Sequence, residues 1–457
     1  MTKPTEPAWL ARALRPVTEV RQGEAITALL LTLNVFLMLT AYYFVKPVRE
    51  ALILAMSSGA EYKSYMSGAI AALLFLIVPA YDKLVDSFAR HKLVIYVTLA
   101  FGAQLLLFYA AMAVPSLRAG LGLIFYAWVG VYSVMIIAQF WAFANDLYER
   151  EQGDRLFPLV AIGGSVGAAV GSKGADVAIR GVGIPNMLLI AAGLLGLCAT
   201  LFWLVHRREQ RDGDAGSGKT EAGTGKNEEA QSQPSRSGGF RLVLSHRYLL
   251  LIALFALVYN WVNTNGEYML SKLIKADVAE AVSQGKVRAE DTGNAIGAAY
   301  ANFFFYVNVA GVLLQTFVVS RVVKWLGLSK AFLFLPALAL GNAAIFAFAP
   351  IVTLVKIGKT AENATDYSLN NTLKQMLWLV TSPDMKFKAK QVVDTFCVRI
   401  GDVCSAISVY LAVDLLGFSV QRFAWLSLAL AGTWLALAVG IGRLHDRIRE
   451  GKEQLAT

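Results

Sequence analysis

The chain has 457 residues, of which 56% are hydrophobic and only 16% are charged. With a mean hydropathy of +0.52, this composition excludes an ordinary soluble domain and indicates an integral membrane protein. The formal net charge of +10 comes mostly from basic loops at the ends of apolar segments. We therefore expect a lipid bilayer around the chain and no nucleic-acid partner.

A helix needs about 20 apolar residues to cross the hydrocarbon core of a bilayer, and about twelve such segments follow one another along the chain. They lie near residues 25–54, 64–81, 93–113, 119–144, 157–179, 185–205, 247–271, 296–319, 330–349, 351–380, 391–413 and 421–442. They lack the alternating pattern of a membrane β-barrel. We therefore predict an all-α membrane protein with about twelve transmembrane helices in two six-helix halves.

Basic residues follow most even-numbered segments and predict the orientation of the chain. Examples are Lys83, Arg90 and Lys92 after the second segment, and Arg443, Arg447 and Arg449 after the last. Because Lys and Arg near helix ends stay in the cytoplasm, we expect both termini to be cytoplasmic and the chain to lie in the inner (plasma) membrane. We further expect a monomer.

The first apolar segment contains charged residues. It ends in YYFVKPVREALIL (42–54), where Lys46, Arg49 and Glu50 surround the helix-interrupting Pro47. A charge at the centre of a membrane helix costs about 2.5–3.5 kcal/mol, and spacings of three and four put the three side chains on one face. We predict that Lys46 and Arg49 bind substrate in a cavity and that Glu50 is a charge partner. The alternative is a Lys46–Glu50 pair that only holds the helix in place.

The loop after the second segment reads DKLVDSFARHK (82–92). It resembles the G-x-x-x-D-R-x-G-R-R/K motif of the major facilitator superfamily, with Asp86, Arg90 and Lys92 at matching positions and Asp82 and Ala89 in place of the glycines. The resemblance implies a major-facilitator-like fold, in which two halves rock about a central site to give alternating access. It also implies a conformational role for the three matching residues.

The fourth and fifth segments contain QFWAFANDLYEREQGDRLFPLVAIGGSVGAAVG (139–171). This stretch resembles the ATP/ADP translocase family of plastids and intracellular bacteria, which has an FW-x-FAN segment, a loop ending in R-x-F and then a glycine-rich helix. KTAENATDYSLNNTLKQMLWL (359–379) and KAKQVVDTFCVRIGD (388–402) resemble the tenth and eleventh spans of that family. The resemblance implies the exchange of organic anions such as ATP and ADP. The seventh segment departs from the family, because TNGEYMLSK (264–272) keeps Glu267 but has Leu270 in place of a Trp.

Two further features lie in the stretch from 139 to 171. Asn145 and Asp146 end the fourth segment, and we predict a gate in which Asp146 pairs with a loop arginine such as Arg155. Glycines recur every four residues, at Gly163, Gly167 and Gly171. This spacing predicts the close approach of a neighbouring helix rather than a phosphate-binding loop.

Residues 206–246 are rich in Gly, Ser and charged residues, which predicts a flexible cytoplasmic linker. The linker separates a first half (25–205) from a second half (247–443), with cytoplasmic segments 1–24 and 444–457 at the two ends. Within it, GDAGSGKT (213–220) matches the Walker A pattern. A phosphate-binding loop needs a strand before it and a helix after it, and the sequence predicts neither, so we do not predict an ATPase.

The tenth segment is the most polar, with polar residues at steps of three and four. They are Lys356, Lys359, Glu362, Asn363, Asp366, Asn370, Asn371 and Lys374. Lipid cannot satisfy such a stripe. We predict that Lys356, Lys359 and Asn363 bind substrate. Glu362 and Asp366 are their predicted charge partners, and the alternative is a scaffold in which every polar group is paired.

The eleventh and seventh segments complete the set of candidate site residues. Arg399 and Asp402 are three residues apart and can neutralise each other, with Arg399 also a candidate for substrate binding. Glu267 is a candidate charge partner or gate, although its place near the outer end of the seventh segment also fits a simple interfacial residue.

Together, the cations predict recognition of phosphate or carboxylate groups, and the carboxylates would hold these cations when the site is empty. We predict a secondary active transporter for a small anionic solute, most specifically a nucleotide exchanger. One alternative is a proton-coupled transporter in which Glu50, Glu267 or Asp402 carries the proton, and another is a non-transporting receptor or scaffold. We expect no enzymatic activity, cofactor or metal, since Cys198, Cys397 and Cys404 lack metal-ligand spacing.

Overall fold

The computed structural model of the chain describes residues 18, 20, 21, 24–87, 89–148, 150–216 and 236–451. Across these ranges the regular structure is helical and contains no strand. The helices of the first part are α1 (Ala25–Leu54), α2 (Gly59–Ser87), α3 (Arg90–Ala113), α4 (Arg118–Leu147) and α5 (Arg150–Gly216). A short 3₁₀ helix at Pro115–Leu117 precedes α4.

Helix α5 covers two of the predicted membrane segments. Gly183 interrupts it with φ 78° and ψ 168°, a conformation that residues with a side chain rarely adopt. Pro185 follows in the next turn. The chain therefore kinks between the fifth and sixth predicted segments, and the helical runs on either side match those segments.

The second part contains ten helices within the described residues. They are α6 (Arg236–Ser245), α7 (Arg247–Ser283), α8 (Thr292–Leu313), α9 (Val319–Ala331), α10 (Phe334–Phe348), α11 (Val352–Thr365), α12 (Asn371–Met376), α13 (Pro383–Val392), α14 (Val398–Val409) and α15 (Val420–Arg449). Short π-helical stretches join several of them, at Leu314–Val318, Asp366–Asn370 and Val393–Cys397, and Tyr410–Leu415 follows α14. A π-turn widens a helix locally and is frequent at functional sites.

Eight helical stretches of the described chain are long and apolar enough to cross a membrane. One of them, Glu151–Gln210, holds two predicted segments. The second, ninth and tenth predicted segments coincide with α2, α10, and α11 together with α12. The prediction of an all-α, multi-pass membrane protein is confirmed.

Several predicted boundaries differ from the structure, and two of the differences bring charged residues to the site. Helix α2 begins at Gly59 rather than near residue 64, and α7 continues to Ser283 rather than ending near residue 271. The added turns contain Glu61, Lys63 and Lys272, which a hydropathy window places outside the lipid. In the structure, Glu61 pairs with Lys272 and Lys63 pairs with Glu267. Paired charges can extend a helix beyond its apolar part.

The ends of the predicted linker are helical. Helix α5 continues to Gly216, and α6 begins at Arg236. Residues 217–235, which include the end of the Walker A match, lie outside the described residues, as do most of 1–24 and residues 452–457. The predicted domain boundaries stay predictions.

The chain divides into two compact units. Unit 1 comprises Met1–Met56, Leu73–Ala222 and Arg288–Phe305, and unit 2 comprises Ser57–Ala72, Gly223–Val287 and Tyr306–Thr457. Each unit therefore contains residues from both predicted halves of the sequence. The start of α2 is grouped with unit 2, and the start of α8 with unit 1.

Unit 1 is organised around the contact of α1 with α5. A Cβ atom on Gly167 would lie 2.3 Å from the carbonyl oxygen of Phe36, and one on Gly163 would lie 2.5 Å from that of Thr32. At Gly171 the nearest atom is the Cα of Thr40, at 2.8 Å. No real Cβ fits at such distances, so the glycines allow the two backbones to touch. The predicted packing role of this glycine repeat is confirmed.

Unit 2 has its own apolar core. Phe255 of α7 stacks on Phe332, with ring centroids 4.4 Å apart, and also contacts the ring of Trp434 in α15 at 5.5 Å. All three side chains are buried. This core holds α7 and α15 together.

Candidate functional site

Lys46 lies in a box of aromatic rings in unit 1. Helix α1 continues through Pro47, and Lys46 is only 8% exposed. Its Nζ is 3.9 Å from the ring centroid of Phe304, 5.2 Å from that of Tyr43 and 5.8 Å from that of Tyr42. Ring faces carry negative potential, so they stabilise an ammonium that has lost part of its hydration shell. We call Tyr42, Tyr43 and Phe304 the ring box.

Arg49 lies one turn beyond Lys46 and is paired with its neighbour Glu50. Arg49 Nε donates to Glu50 Oε1 at 3.0 Å, and Nη2 donates to the same oxygen. The guanidinium carbon lies 4.6 Å from the ring centroid of Tyr126. Glu50 is fully buried, so the pair places one positive and one negative group inside the unit. The predicted partnership of Glu50 with the cations of α1 includes this Arg49–Glu50 pair.

Lys359 is the most deeply buried cation of unit 2 within the described residues. It is fully buried, and its Nζ donates to Asn263 Oδ1 at 2.9 Å and to Glu362 Oε1 at 2.8 Å. Glu267 Oε1 is 3.9 Å away. Gly266 provides the room, because a Cβ at that position would lie 2.9 Å from Nζ. Glu362 lies three residues after Lys359, a spacing at which side chains of one helix are neighbours.

Glu267 joins Lys359 to two further groups. Its Oε1 accepts from Asn363 Nδ2 at 3.2 Å, and Lys63 Nζ lies 3.5 Å from its Oε2. Lys63 also donates to Ser271 Oγ at 3.0 Å. Glu267 is therefore a shared acceptor for residues of α2 and α11 rather than an isolated interfacial carboxylate. These groups form the Glu267 network: Lys63, Asn263, Glu267, Lys359, Glu362 and Asn363.

Asp402 and Asp366 hold two smaller clusters in unit 2. Arg399 Nη1 donates to Asp402 Oδ2 at 3.3 Å, and Thr264 donates to Oδ1 of the same carboxylate at 2.9 Å. The i,i+3 pair expected from the sequence is present. Asp366 accepts from the Tyr259 hydroxyl at 2.6 Å, and Lys374 lies over the Tyr259 ring at 4.7 Å. Each of the two carboxylates thus lies near one cation and one hydroxyl group.

Lys356 does not join the Glu267 network. Its Nζ is 3.1 Å from Asp277 Oδ2, and the two side chains are 34% and 46% exposed. Asn145 and Asp146 are also exposed, at the end of α4. An exposed ion pair contributes little to stability, and the predicted role of Lys356 in substrate binding stays a prediction.

Arg155 binds Glu24, a partner that spacing alone does not predict. Arg155 Nη2 is 2.9 Å from Glu24 Oε1, and Nη1 is 3.1 Å from Oε2. Burial alone would raise the pKa of Glu24, but hydrogen bonds from Arg155 and from the backbone of Arg21 lower this pKa below its ordinary value of 4.5. The pair connects α5 to the residue that precedes α1. The predicted Asp146–Arg155 gate stays a prediction.

The residues of the predicted loop motif lie at the junction of two helices. Asp86 is in the last turn of α2, Arg90 begins α3, and Lys92 is exposed in the first turn of α3. The side chains of Asp86 and Arg90 lie outside the described part of the chain, so their conformational role stays a prediction.

Sequence reasoning missed two groups of site residues. Lys63, Glu61 and Lys272 lie next to apolar segments, and a search for opposite charges near segment ends would have found them. The sequence does not distinguish Phe304 and Tyr43 from ordinary aromatic residues of a core, because the two are far apart along the chain. Only the folded chain brings these two rings to the Lys46 ammonium.

The fold corresponds to that of membrane transporters of the major facilitator type. A crystal structure of the nucleoside transporter NupG superposes with a TM-score of 0.60 and 13% sequence identity, covering 92% of this chain and 99% of NupG. A bacterial homologue of the iron transporter ferroportin superposes with a TM-score of 0.59 and 14% identity, covering 91% of this chain and 98% of that protein. Identities this low establish the fold only.

The chain belongs to the TLC ATP/ADP transporter family, whose sequence pattern matches residues 122–443. It is 21% identical over 361 residues to ADP,ATP carrier protein 1 of Chlamydia trachomatis, covering 70% of this chain and 65% of that protein. The chain thus aligns with slightly less than two thirds of that relative. The predicted resemblance to the ATP/ADP translocase family is confirmed.

Proposed function

We propose that the protein is a secondary active transporter that exchanges nucleotides of the ATP/ADP type by alternating access. Family membership and the fold support a transporter. The observation that carries the proposal is the pairing of cations with buried carboxylates, which occurs separately in each unit: Arg49 with Glu50 in unit 1, and Lys359 with Glu362 in unit 2.

These pairs suit the binding of a polyanion. A phosphate chain needs several cations, of which arginine offers a planar fork and lysine a point charge. When the site is empty, Glu50 and Glu362 neutralise the cations at little electrostatic cost. A bound nucleotide would offer its phosphate oxygens to such cations in place of the carboxylates.

This replacement of partners gives a physical basis for obligatory exchange. A ligand shifts a conformational equilibrium only through a difference in its affinity for the two states. A nucleotide that replaces the carboxylates as the partner of these cations favours the intermediate of reorientation, whereas the empty protein gains nothing from that state. Reorientation therefore requires a bound nucleotide on each passage.

The proposal also covers the oligomeric state, the membrane and the orientation of the protein. We propose that it acts as a monomer in the inner (plasma) membrane with both termini in the cytoplasm, as the basic loops predict. Labelling of single cysteines introduced before α1 and after α15, from each side of the membrane, tests this orientation.

The experiment is the uptake of labelled ATP into proteoliposomes that contain ADP or are empty. We expect uptake only into the ADP-containing vesicles. Lys46→Ala and Lys359→Ala should each reduce exchange at least tenfold, because each removes a buried cation worth about 1.5–3 kcal/mol in a charged hydrogen bond. Lys324→Ala is the matched control, since Lys324 is exposed in α9, and it should exchange at the wild-type rate.

Two results would contradict the proposal. Absence of ATP uptake into ADP-containing vesicles, with folded protein, would exclude nucleotide exchange. Uptake into empty vesicles that is driven by an acidic exterior would instead support a proton-coupled transporter, with Glu50, Glu267 or Asp402 as the candidate carriers. Exchange that is constant across pH counts against that alternative.

A further inference from the structure

The ring box combines two features that an ordinary lysine site does not need. It surrounds the Lys46 ammonium with three ring faces, and it lies one turn from Arg49, the other cation of α1. The rings of Tyr43 and Phe304 are 6.1 Å apart with planes inclined by 75°. Tyr43 and Phe304 are buried, and Tyr42 is half-buried at the edge of the box.

Ring faces that attract an ammonium also attract a nucleobase. An aromatic side chain stacks on any of the bases, because every base has a π-face. The inclination of Tyr43 against Phe304 allows a flat ring to lie face-on to Phe304 and edge-on to Tyr43, which is a favourable arrangement for aromatic groups. A lysine side chain is flexible, so its ammonium can leave the box without movement of the backbone.

We propose that the ring box is the subsite for the nucleobase and that Lys46 occupies it only in the absence of substrate. The inference rests on the proposed nucleotide exchange. On binding, the phosphates draw the Lys46 ammonium out of the box, since hydrogen bonds between an ammonium and a phosphate are charge-assisted and strong. The base then takes the place of the ammonium against Phe304, with the phosphates one turn away near Arg49.

This arrangement has a consequence for selectivity. The strength of stacking depends on the area of the base and not on its hydrogen-bonding edge. The box therefore binds purines more tightly than pyrimidines, but discriminates little between adenine and guanine. It also discriminates against a triphosphate that carries no base. Tripolyphosphate, which has the same chain of phosphates, should therefore bind much more weakly than ATP to the wild-type protein.

The experiment compares ATP and inorganic tripolyphosphate as inhibitors of labelled ATP exchange, for wild type and Phe304→Leu. Leucine keeps an apolar side chain but removes the ring face. We expect the inhibition constant of ATP to rise on the order of 10- to 100-fold in the variant, with that of tripolyphosphate unchanged. Phe304→Tyr should behave as wild type. Phe125→Leu is the matched control for loss of a buried ring in unit 1, since Phe125 is fully buried, and it should alter neither constant.

Photo-crosslinking gives a second test that needs no variant. A photoreactive azido group on the adenine of ATP should label Tyr42, Tyr43 or Phe304 of the wild-type protein, with labelling suppressed by excess ATP. The inference is overturned if labelling falls only on other residues, or if Phe304→Leu weakens both inhibitors equally or neither. It is also overturned if wild type binds tripolyphosphate as tightly as ATP. Failure of the proposed function is distinct, because wild type would then show no ATP exchange at all.

Discussion

Removal of the Lys359 charge should destabilise unit 2 by an amount that its surroundings determine. Lys359 is fully buried and donates to Glu362 at 2.8 Å and to Asn263 at 2.9 Å. In Lys359→Met, the buried Glu362 carboxylate keeps a hydrogen bond of 3.2 Å from Asn342 but loses its charged partner. Glu267 adds a second negative charge nearby. Removal of one member of a buried ion pair costs about 3–5 kcal/mol.

A second substitution separates the cost of the unpaired charge from the loss of function. Lys359→Met/Glu362→Gln leaves no uncompensated carboxylate at position 362, and replacement of a buried ion pair by uncharged groups is often close to neutral. We expect the double variant to recover most of the lost stability, with a coupling energy of about 2–3 kcal/mol. It should nevertheless fail to exchange ATP, because the cation is missing.

The stability assay is equilibrium unfolding of the purified protein in mixed micelles, with wild type, Lys359→Met, Glu362→Gln and the double variant treated identically as a double-mutant cycle. Exchange in proteoliposomes is measured on the same preparations. If Lys359→Met unfolds at the wild-type midpoint, the buried pair does not contribute as its geometry indicates. If the double variant exchanges ATP at the wild-type rate, Lys359 does not bind substrate and only a scaffold role remains.

Two further predictions concern unit 1. Gly167→Ala should destabilise the protein by about 1–3 kcal/mol or more, because its Cβ would lie 2.3 Å from the Phe36 carbonyl oxygen. Gly193→Ala is the control, since nothing lies within 4 Å of a Cβ at that position, and it should unfold at or above the wild-type temperature. Equal unfolding midpoints for the two variants would contradict the packing argument. Glu24 has a lowered pKa because the Arg155 contacts outweigh burial, so its contribution to stability is present above about pH 4.5 and lost as pH falls through the lowered pKa. Stability measured from pH 7 to pH 3 should therefore fall less in Glu24→Gln than in wild type, and parallel curves would show that the pair contributes nothing.

Hydropathy and helical spacing account for much of the structure. Helix α1 coincides with the predicted 25–54 segment, because about 20 consecutive apolar residues have few other stable arrangements. Spacing also predicted the contact of Arg399 with Asp402, since residues three apart on a helix are neighbours whatever the tertiary fold. The glycine repeat of α5 predicted a close helix contact for the same reason.

The sequence alone does not predict contacts between distant segments. The sequence shows Lys46 and Phe304 as unrelated residues, and Glu24 and Arg155 as charges in separate segments, whereas the structure places each pair in contact. Which charge a buried cation meets depends on how helices pack and rotate, and hydropathy carries no information about rotation. By itself, the sequence determined the membrane class, the helical segments and the pairs within one helix, because those follow from local burial and geometry. Only the tertiary structure decided the ring box and the Glu267 network, because both assemble side chains from helices that packing alone brings together.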